Sequence, residues 1–509
     1  MASPQKLQRV RGMIDVLPAE YEQAQAIQRQ LEQHFSRFGY RPIGLPVVEY
    51  TDLHLRKSGA DIVGRLYDFK HQDRRLCLRP EMTASVMRAY VNNLQERPLP
   101  IRLHYAGPVF RYEKPQRGRY RQFTAVGLEL IGAAHSAADA EIIHIACAGL
   151  DGIGLQNYRV LIGNIGLLTT FLADLGLDNR LQNFLIANME RLRSDGKAAL
   201  RERVYEIYPS LAKTTGSDTD EQLAGLLAGL SVEESRTAVS NFLSSMNINI
   251  TGARSTEQIV DRLLAKMQST DQSARMEQAL SFMEALGGLV GEQTAVLAAA
   301  QELMSEYGMM ETAVLDELRR VLDILTMYGL DSSRVQLDLG LTRGMQYYTG
   351  TLFEIYHGEG RDALQLCGGG RYDELATVLG GTKNVPAVGF AYGLERLCLA
   401  LEDEQGVQGQ HTPSDALIIP ITFADYAYAV QVATDLRADG ATIELDVRDR
   451  SLKGNLQYAN KKNIPYAIII GENERERGTV LLRNMHSRKE QQIAATEIGS
   501  LFLENSVEL

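Results

Sequence analysis

The 509-residue chain has only four cysteines, and Cys77, Cys147, Cys367 and Cys398 stand far apart with no metal-ligand spacing. That usage excludes a disulfide-built scaffold and fits a reducing compartment. No apolar run approaches the about 18 residues needed to span a bilayer. The opening Met1-Ala-Ser-Pro-Gln-Lys-Leu-Gln-Arg-Val-Arg-Gly lacks the apolar core of a signal peptide. The expectation is a soluble cytoplasmic protein with no membrane partner. An excess of positive charge is missing too. The net charge of -11 argues against nonspecific nucleic-acid binding, while leaving room for a local basic groove. His135 and His144 form the closest well-spaced histidine pair and no third ligand joins them, so no metal site is expected from protein side chains. There is no convincing internal repeat.

What is present is ordinary globular composition, 45% hydrophobic and 23% charged, enough for a sizeable core. The length suggests about three domains at roughly 150 residues each. Tyr21, Ala24, Ile27, Leu31 and Phe35 recur at helical spacing over 19–38, and Gly39 stops that helix. The prolines of Tyr40 to Glu49 forbid a helix there and suggest an extended segment at a sheet edge or an interface. Residues 65–79 read as a hairpin and about 80–91 as a helix. Strands are expected within 101–132, at 158–163, at Val335 to Leu339 and at Gly350 to Tyr356. Cys367-Gly-Gly-Gly-Arg-Tyr-Asp373 reads as a glycine-rich turn, where glycines allow close backbone approach. A strand-to-helix segment follows at Ala387–Leu401. Leu, Ala, Glu, Gln and Met at helical spacing fill 166–332. Residues 402–414 are polar and unpatterned, hence a linker. Beyond them, apolar strands at 416–420, 442–447 and 466–470 alternate with helical patterns, which indicates a small α/β domain with a mostly parallel sheet.

The most informative stretch is Arg111 to Arg121. It sets Arg111, Lys114, Arg117, Arg119 and Arg121 against one acid, Glu113. Apolar runs on both sides make it the loop of a hairpin that offers guanidinium forks to a polyphosphate. Alone, such a charge run is more often a solvated basic turn. On the strand that follows, Glu129 stands between Leu128 and Leu130, so its carboxylate faces away from them, points inward and needs a partner.

Taken together, the motifs resemble a class II aminoacyl-tRNA synthetase and, within that class, the histidyl-tRNA synthetase family. Val10-Arg-Gly-Met-Ile-Asp-Val-Leu-Pro18 is similar to the family's start, and the segment ending at Pro46 to the dimer-interface motif of the class. Phe110-Arg-Tyr-Glu113 through Gly132 resembles the second class motif, and Gly389-Phe-Ala-Tyr-Gly-Leu-Glu-Arg396 the third. Leu78-Arg-Pro-Glu-Met-Thr83 and Thr342-Arg-Gly-Met-Gln-Tyr-Tyr348 are specific to the histidyl branch, and Arg450 to Lys462 resembles its anticodon-binding domain. The implied fold is α/β with an α+β catalytic core. A class II antiparallel sheet would span 1–165 and 333–401, interrupted by a mostly helical insertion at 166–332. The linker at 402–414 would lead to an anticodon-binding-like α/β domain at 415–509.

The resemblance implies ATP-dependent activation of L-histidine and its transfer to histidine tRNA, by a homodimer that uses ATP with Mg²⁺. Arg111 and Arg343 would be the catalytic cations, Arg111 bridging the amino-acid carboxylate and the α-phosphate. Glu113 and Arg119 would contact the nucleotide, Phe123 would stack on adenine, and Arg396 would hold the distal phosphates. Glu81 and Thr83 would bind the α-amino group, while Glu129 and Tyr348, with Tyr347 beside them, would hold the imidazole.

Three positions depart from the family pattern. Ala125 stands where a glutamine would touch the amino acid, Gln346 replaces an acid, and Asn164 takes the place of a histidine. Losing a buried polar contact weakens binding by about 1–3 kcal/mol, so the first two changes weaken histidine binding or signal another ligand. Two other readings follow. One is a histidine-sensing regulatory subunit of ATP phosphoribosyltransferase, a family that normally lacks the anticodon-binding domain. The other is a synthetase-like paralogue with a different acceptor or amino acid. Residues 415–495 carry eleven Lys/Arg and eleven Asp/Glu, a relative enrichment of positive charge where tRNA would sit.

Overall fold

The computed structural model describes residues 6–58, 64–114, 116–211, 237, 256–309, 313–342, 347–406 and 414–498. The chain divides into two compact units, Met1–Gln408 and Gly409–Leu509.

Among the described residues of the first unit, nine strands form one sheet. Its order is Arg41–Pro42, Ile101–Phe110, Gln122–Ile131, Ala387–Gly393, Leu364–Arg371, Thr351–His357, Tyr158–Asn164, Val335–Asp338 and Val290–Gly291. The central six strands pair antiparallel, and parallel pairing appears only towards the two sides. Arg41–Pro42 does lie at a sheet edge, where a proline without an N–H is tolerated.

Period-two alternation gives the centre of this sheet two unlike faces. Val126 and Leu128 pair with Tyr392 and Phe390 on one face. Helix Pro18–Arg37 covers that face through Ile27, Leu31 and Phe35. Phe35 meets Phe390 edge-on at 5.9 Å and stacks on Tyr392 at 6.4 Å. Tyr21 is exposed instead, beyond the apolar seam. Gly39, at φ +81, takes the left-handed turn that ends the exit from this helix.

The other face carries small residues in register: Ala125 beside Gly393, Gly127 beside Ala391, Glu129 beside Gly389, and Ala391 beside Gly368. Cys367 to Arg371 is therefore not a turn. It lies within strand Leu364–Arg371, and its glycines have a packing reason: a Cβ on Gly370 would come within 2.6 Å of Leu352, 2.7 Å of the Thr351 carbonyl and 3.0 Å of Tyr348.

Two further boundaries differ from the sequence pattern. The helix expected from about Pro80 is Thr83–Asn93, because the Glu81 carboxylate accepts from the Ala84 N–H and so precedes the first turn. Helix Leu394–Gln405 runs into the segment read as a linker, whose residues 407–413 lie outside the described residues. Helices Gly166–Asp174, Asn179–Ala187, Met189–Ile207, Thr256–Gly287, Gln293–Glu306 and Ala313–Met327 occupy most of 166–332, and Val290–Gly291 from that stretch joins the sheet edge.

The second unit has a five-stranded sheet among its described residues, in the order Ile443–Leu445, Ala416–Pro420, Tyr466–Ile470, Thr479–Asn484, Glu490–Ala494. The first three are parallel, as the alternation with helices predicts. The last two form an antiparallel hairpin on that edge, so the sheet is mixed rather than mostly parallel. The hairpin was missed because its second strand, Glu-Gln-Gln-Ile-Ala, is largely exposed and has little apolar alternation. No helix among the described residues is long and apolar enough to cross a membrane.

Candidate active site

The small-residue face opens into a cavity of about 590 Å³. The basic hairpin forms one wall. Strands Ile101–Phe110 and Gln122–Ile131 pair along their whole length, and the Arg111 N–H closes the loop on the Arg121 carbonyl at 2.9 Å. The five cations then separate. Arg111, Lys114 and Arg119 line the cavity. Arg117 turns out to pair with Asp403, and Arg121 lies over the Tyr112 ring, 3.9 Å from its centre, donating to the Arg11 and Glu113 carbonyls.

Two lining cations, Arg111 and Arg396, are held by backbone. Arg111 Nε donates to the Pro80 carbonyl at 2.8 Å, and its guanidinium stands 5.4 Å from the Phe123 ring centre. Arg396 Nε donates to Gly118 at 2.9 Å and Nη1 to Gln365 at 2.7 Å. Burial, with Arg119 and Arg111 nearby, pushes the Arg396 guanidinium down to about 10, so it stays charged at neutral pH. Arg65 adds a further cation, while Glu113, Glu354 and Glu395 bring carboxylates to the same wall. The described residues contain no group of three or more His, Cys, Asp or Glu suited to a metal.

At the opposite end lie Glu81, Thr83, Ala125, Tyr347 and Tyr348. Glu81 forms an ion pair with Lys57 at 2.8 Å and faces His54 at 3.6 Å. Despite the cost of burial, Lys57 and His54 hold its carboxyl well below the usual carboxylate range.

Glu129 is fully buried and stands behind the cavity wall rather than in it. Its carboxylate accepts from Thr83 Oγ1 at 2.7 Å, from the Tyr105 hydroxyl at 3.1 Å and from the Tyr372 hydroxyl. Burial raises this carboxyl to about 7, against the opposing hydrogen bonds from Tyr372 and Thr83. Burial, and then the neighbouring Glu129 charge, also lift the Tyr105 and Tyr372 hydroxyls well above their ordinary value, so both remain donors.

The structure thus gathers Arg111, Glu113, Arg119, Phe123, Arg396, Glu81, Thr83, Ala125, Tyr347 and Tyr348 around one space. Arg343 and Gln346 lie outside the described residues. Asn164 is buried away from the cavity, where its Oδ1 accepts from the Gly166 N–H at 2.8 Å and caps a helix start. Sequence reasoning missed Tyr105, Tyr372, His54 and Lys57. A signal existed for the first, since Tyr105 pairs with Gly127, a neighbour of Glu129 on the same strand face. Tyr372, His54 and Lys57 reach the site only through tertiary packing.

A family model described as histidyl-tRNA synthetase matches residues 12–240 and 251–397, and one described as an anticodon binding domain matches 415–505. The histidine--tRNA ligase of Methanococcus maripaludis is 31% identical over 494 residues, covering 96% of this chain and 98% of its own. That of Pyrococcus furiosus is 31% identical over 503 residues, covering 98% and 99%. Among solved structures, histidyl-tRNA synthetase from Nostoc aligns with a TM-score of 0.64 at 19% identity, over 99% of this chain and 100% of that one. The apo enzyme of S. aureus aligns at 0.59 and 22% identity, over 98% and 100%. These two likenesses bear on the fold.

Proposed function

The chain belongs to the histidyl-tRNA synthetase family, and from that premise we propose that it activates L-histidine with ATP and transfers it to histidine tRNA. In the first step a histidine carboxylate oxygen attacks the α-phosphorus. The bond to the β-phosphate bridging oxygen breaks, and pyrophosphate leaves with its electron pair. The second step moves the histidyl group to a tRNA hydroxyl and releases AMP.

The observation that carries this reading is the polarity of the cavity. Cations gather at the hairpin end, Arg111 and Arg396 among them anchored to backbone, and hydroxyls with a carboxylate gather at the other. Two anions must meet for adenylate formation, so preorganised positive charge is the main catalytic resource. Arg111, anchored by Pro80, would bridge the carboxylate and α-phosphate. Phe123 would lie against the adenine, Glu113 and Arg119 would contact the nucleotide, and Arg396 would meet the distal phosphates. Arg343 is proposed to complete the charge at the α-phosphate. At the other end Glu81 and Thr83 would receive the α-ammonium, with Tyr347 and Tyr348 beside the side chain. Glu129 would act on the imidazole through the Tyr105 and Tyr372 hydroxyls it orients. Mg²⁺ fits as an ion carried chiefly by phosphate oxygens, with Glu354 and Glu395 as the carboxylates that would hold it, and it would neutralise charge on the leaving pyrophosphate.

A homodimer and a cytoplasmic setting belong to the same proposal. The match of 415–505 to an anticodon binding domain favours tRNA charging over the histidine-sensing regulatory reading. Histidine-dependent ATP–pyrophosphate exchange together with charging of histidine tRNA is the test. Exchange without charging would point to a different acceptor, and the absence of both activities would overturn the proposal.

A further inference from the structure

Lys57 and His54 are unusual for what they lack. Both side chains are buried, Lys57 at 1% and His54 at 0% exposure. Neither has a hydrogen bond of good geometry among the described residues. They project three residues apart from helix Thr51–Ser58, on one side of it. Neither lines the cavity, yet Lys57 touches two residues that do. Its ammonium is 2.8 Å from Glu81 Oε2 and 3.9 Å from the centre of the Tyr347 ring.

A buried ammonium without a full hydrogen-bond set is costly unless a nearby charge compensates it. Here the compensation runs both ways. Glu81 is itself mostly buried, and its carboxylate also caps the helix start at Ala84. Without a cation behind it, burial would favour the neutral acid, which attracts a substrate ammonium far less.

We propose that Lys57 is a positioning residue for amino-acid recognition: from behind the cavity wall it keeps Glu81 ionised and turned to the substrate's α-ammonium. This rests on the functional reading above, in which Glu81 receives the α-ammonium. Lys57 therefore serves the ammonium and not the carboxylate or ring of the ligand.

The experiment compares binding of L-histidine with binding of 3-(imidazol-4-yl)propionate, which keeps the ring and carboxylate and lacks the amino group. Lys57→Gln should weaken L-histidine by about tenfold or more, the scale of a lost charged contact, while the des-amino ligand is unaffected. Lys57→Arg, which keeps the charge, should retain most of the histidine affinity. In a Glu81→Gln background, Lys57→Gln should change nothing further. Equal weakening of both ligands, or unchanged histidine binding in Lys57→Gln, overturns the proposal. Should that variant not fold, histidine lost with charge kept in Lys57→Arg overturns it as well. A wild-type chain that binds neither ligand overturns the functional reading first, and this inference with it.

Discussion

Gly389 and Glu129 are register partners on neighbouring strands, and the Glu129 carboxylate fills the place that a Cβ at position 389 would need. The glycine is thus a condition for the buried acid. Gly389→Ala must push the carboxylate out of reach of at least one of Thr83, Tyr105 and Tyr372. Losing a buried hydrogen-bonding contact costs about 1–3 kcal/mol, so the KM for histidine should rise roughly fivefold to a hundredfold. Steady-state exchange kinetics check it, with the KM for ATP expected to stay near wild type.

The raised Glu129 carboxyl makes a prediction about pH. In the folded chain it titrates at about 7, against 4.5 in the reference state. Between those values the native state keeps a proton that the unfolded state gives up, so stability falls as pH rises through the window. A shift of that size corresponds to on the order of 3 kcal/mol. Glu129→Gln removes the titration. Denaturant unfolding should therefore show the wild type losing ground to the variant between about pH 4.5 and 7. A stability difference that is flat across that range contradicts the assignment.

Arg396 makes two backbone hydrogen bonds and still faces the cavity. A lysine cannot reproduce that fork. Arg396→Lys should therefore behave much like Arg396→Ala, each raising the KM for ATP about tenfold or more while the KM for histidine changes little. Initial rates at varied ATP decide it.

Away from the chemistry, Arg371 and Asp139 form a buried ion pair at 2.7 Å, with further bonds from Arg371 to Ala133 and Asp373. It fastens strand Leu364–Arg371, part of the cavity floor, to helix Ser136–Gly152. Asp139→Ala leaves a buried guanidinium without its main partner and should cost about 3–5 kcal/mol, measured by denaturant unfolding.

Much of this was legible in the residues. Strand alternation around Glu129 pointed to an inward acid, and the density of arginine after Phe110 pointed to an anion site. What the chain order hides is which cations share a space. Arg117 and Arg121 look like Arg119 in the sequence, yet Asp403 and Tyr112 draw them away from it. The glycine run after Cys367 reads as a turn, because nothing local says that the Glu129 side of the sheet must be kept free of side chains. Lys57 lies outside every motif, and only folding brings it to Glu81.

Ala125 keeps amino-acid identity the central question, since it lines the cavity with a methyl group where the family pattern has an amide. The most direct test is ATP–pyrophosphate exchange with each proteinogenic amino acid in turn, followed by charging of tRNA with whichever amino acid supports it. The account predicts exchange with L-histidine above all others and formation of histidyl-tRNA. Exchange driven by another amino acid, or by none, would contradict it.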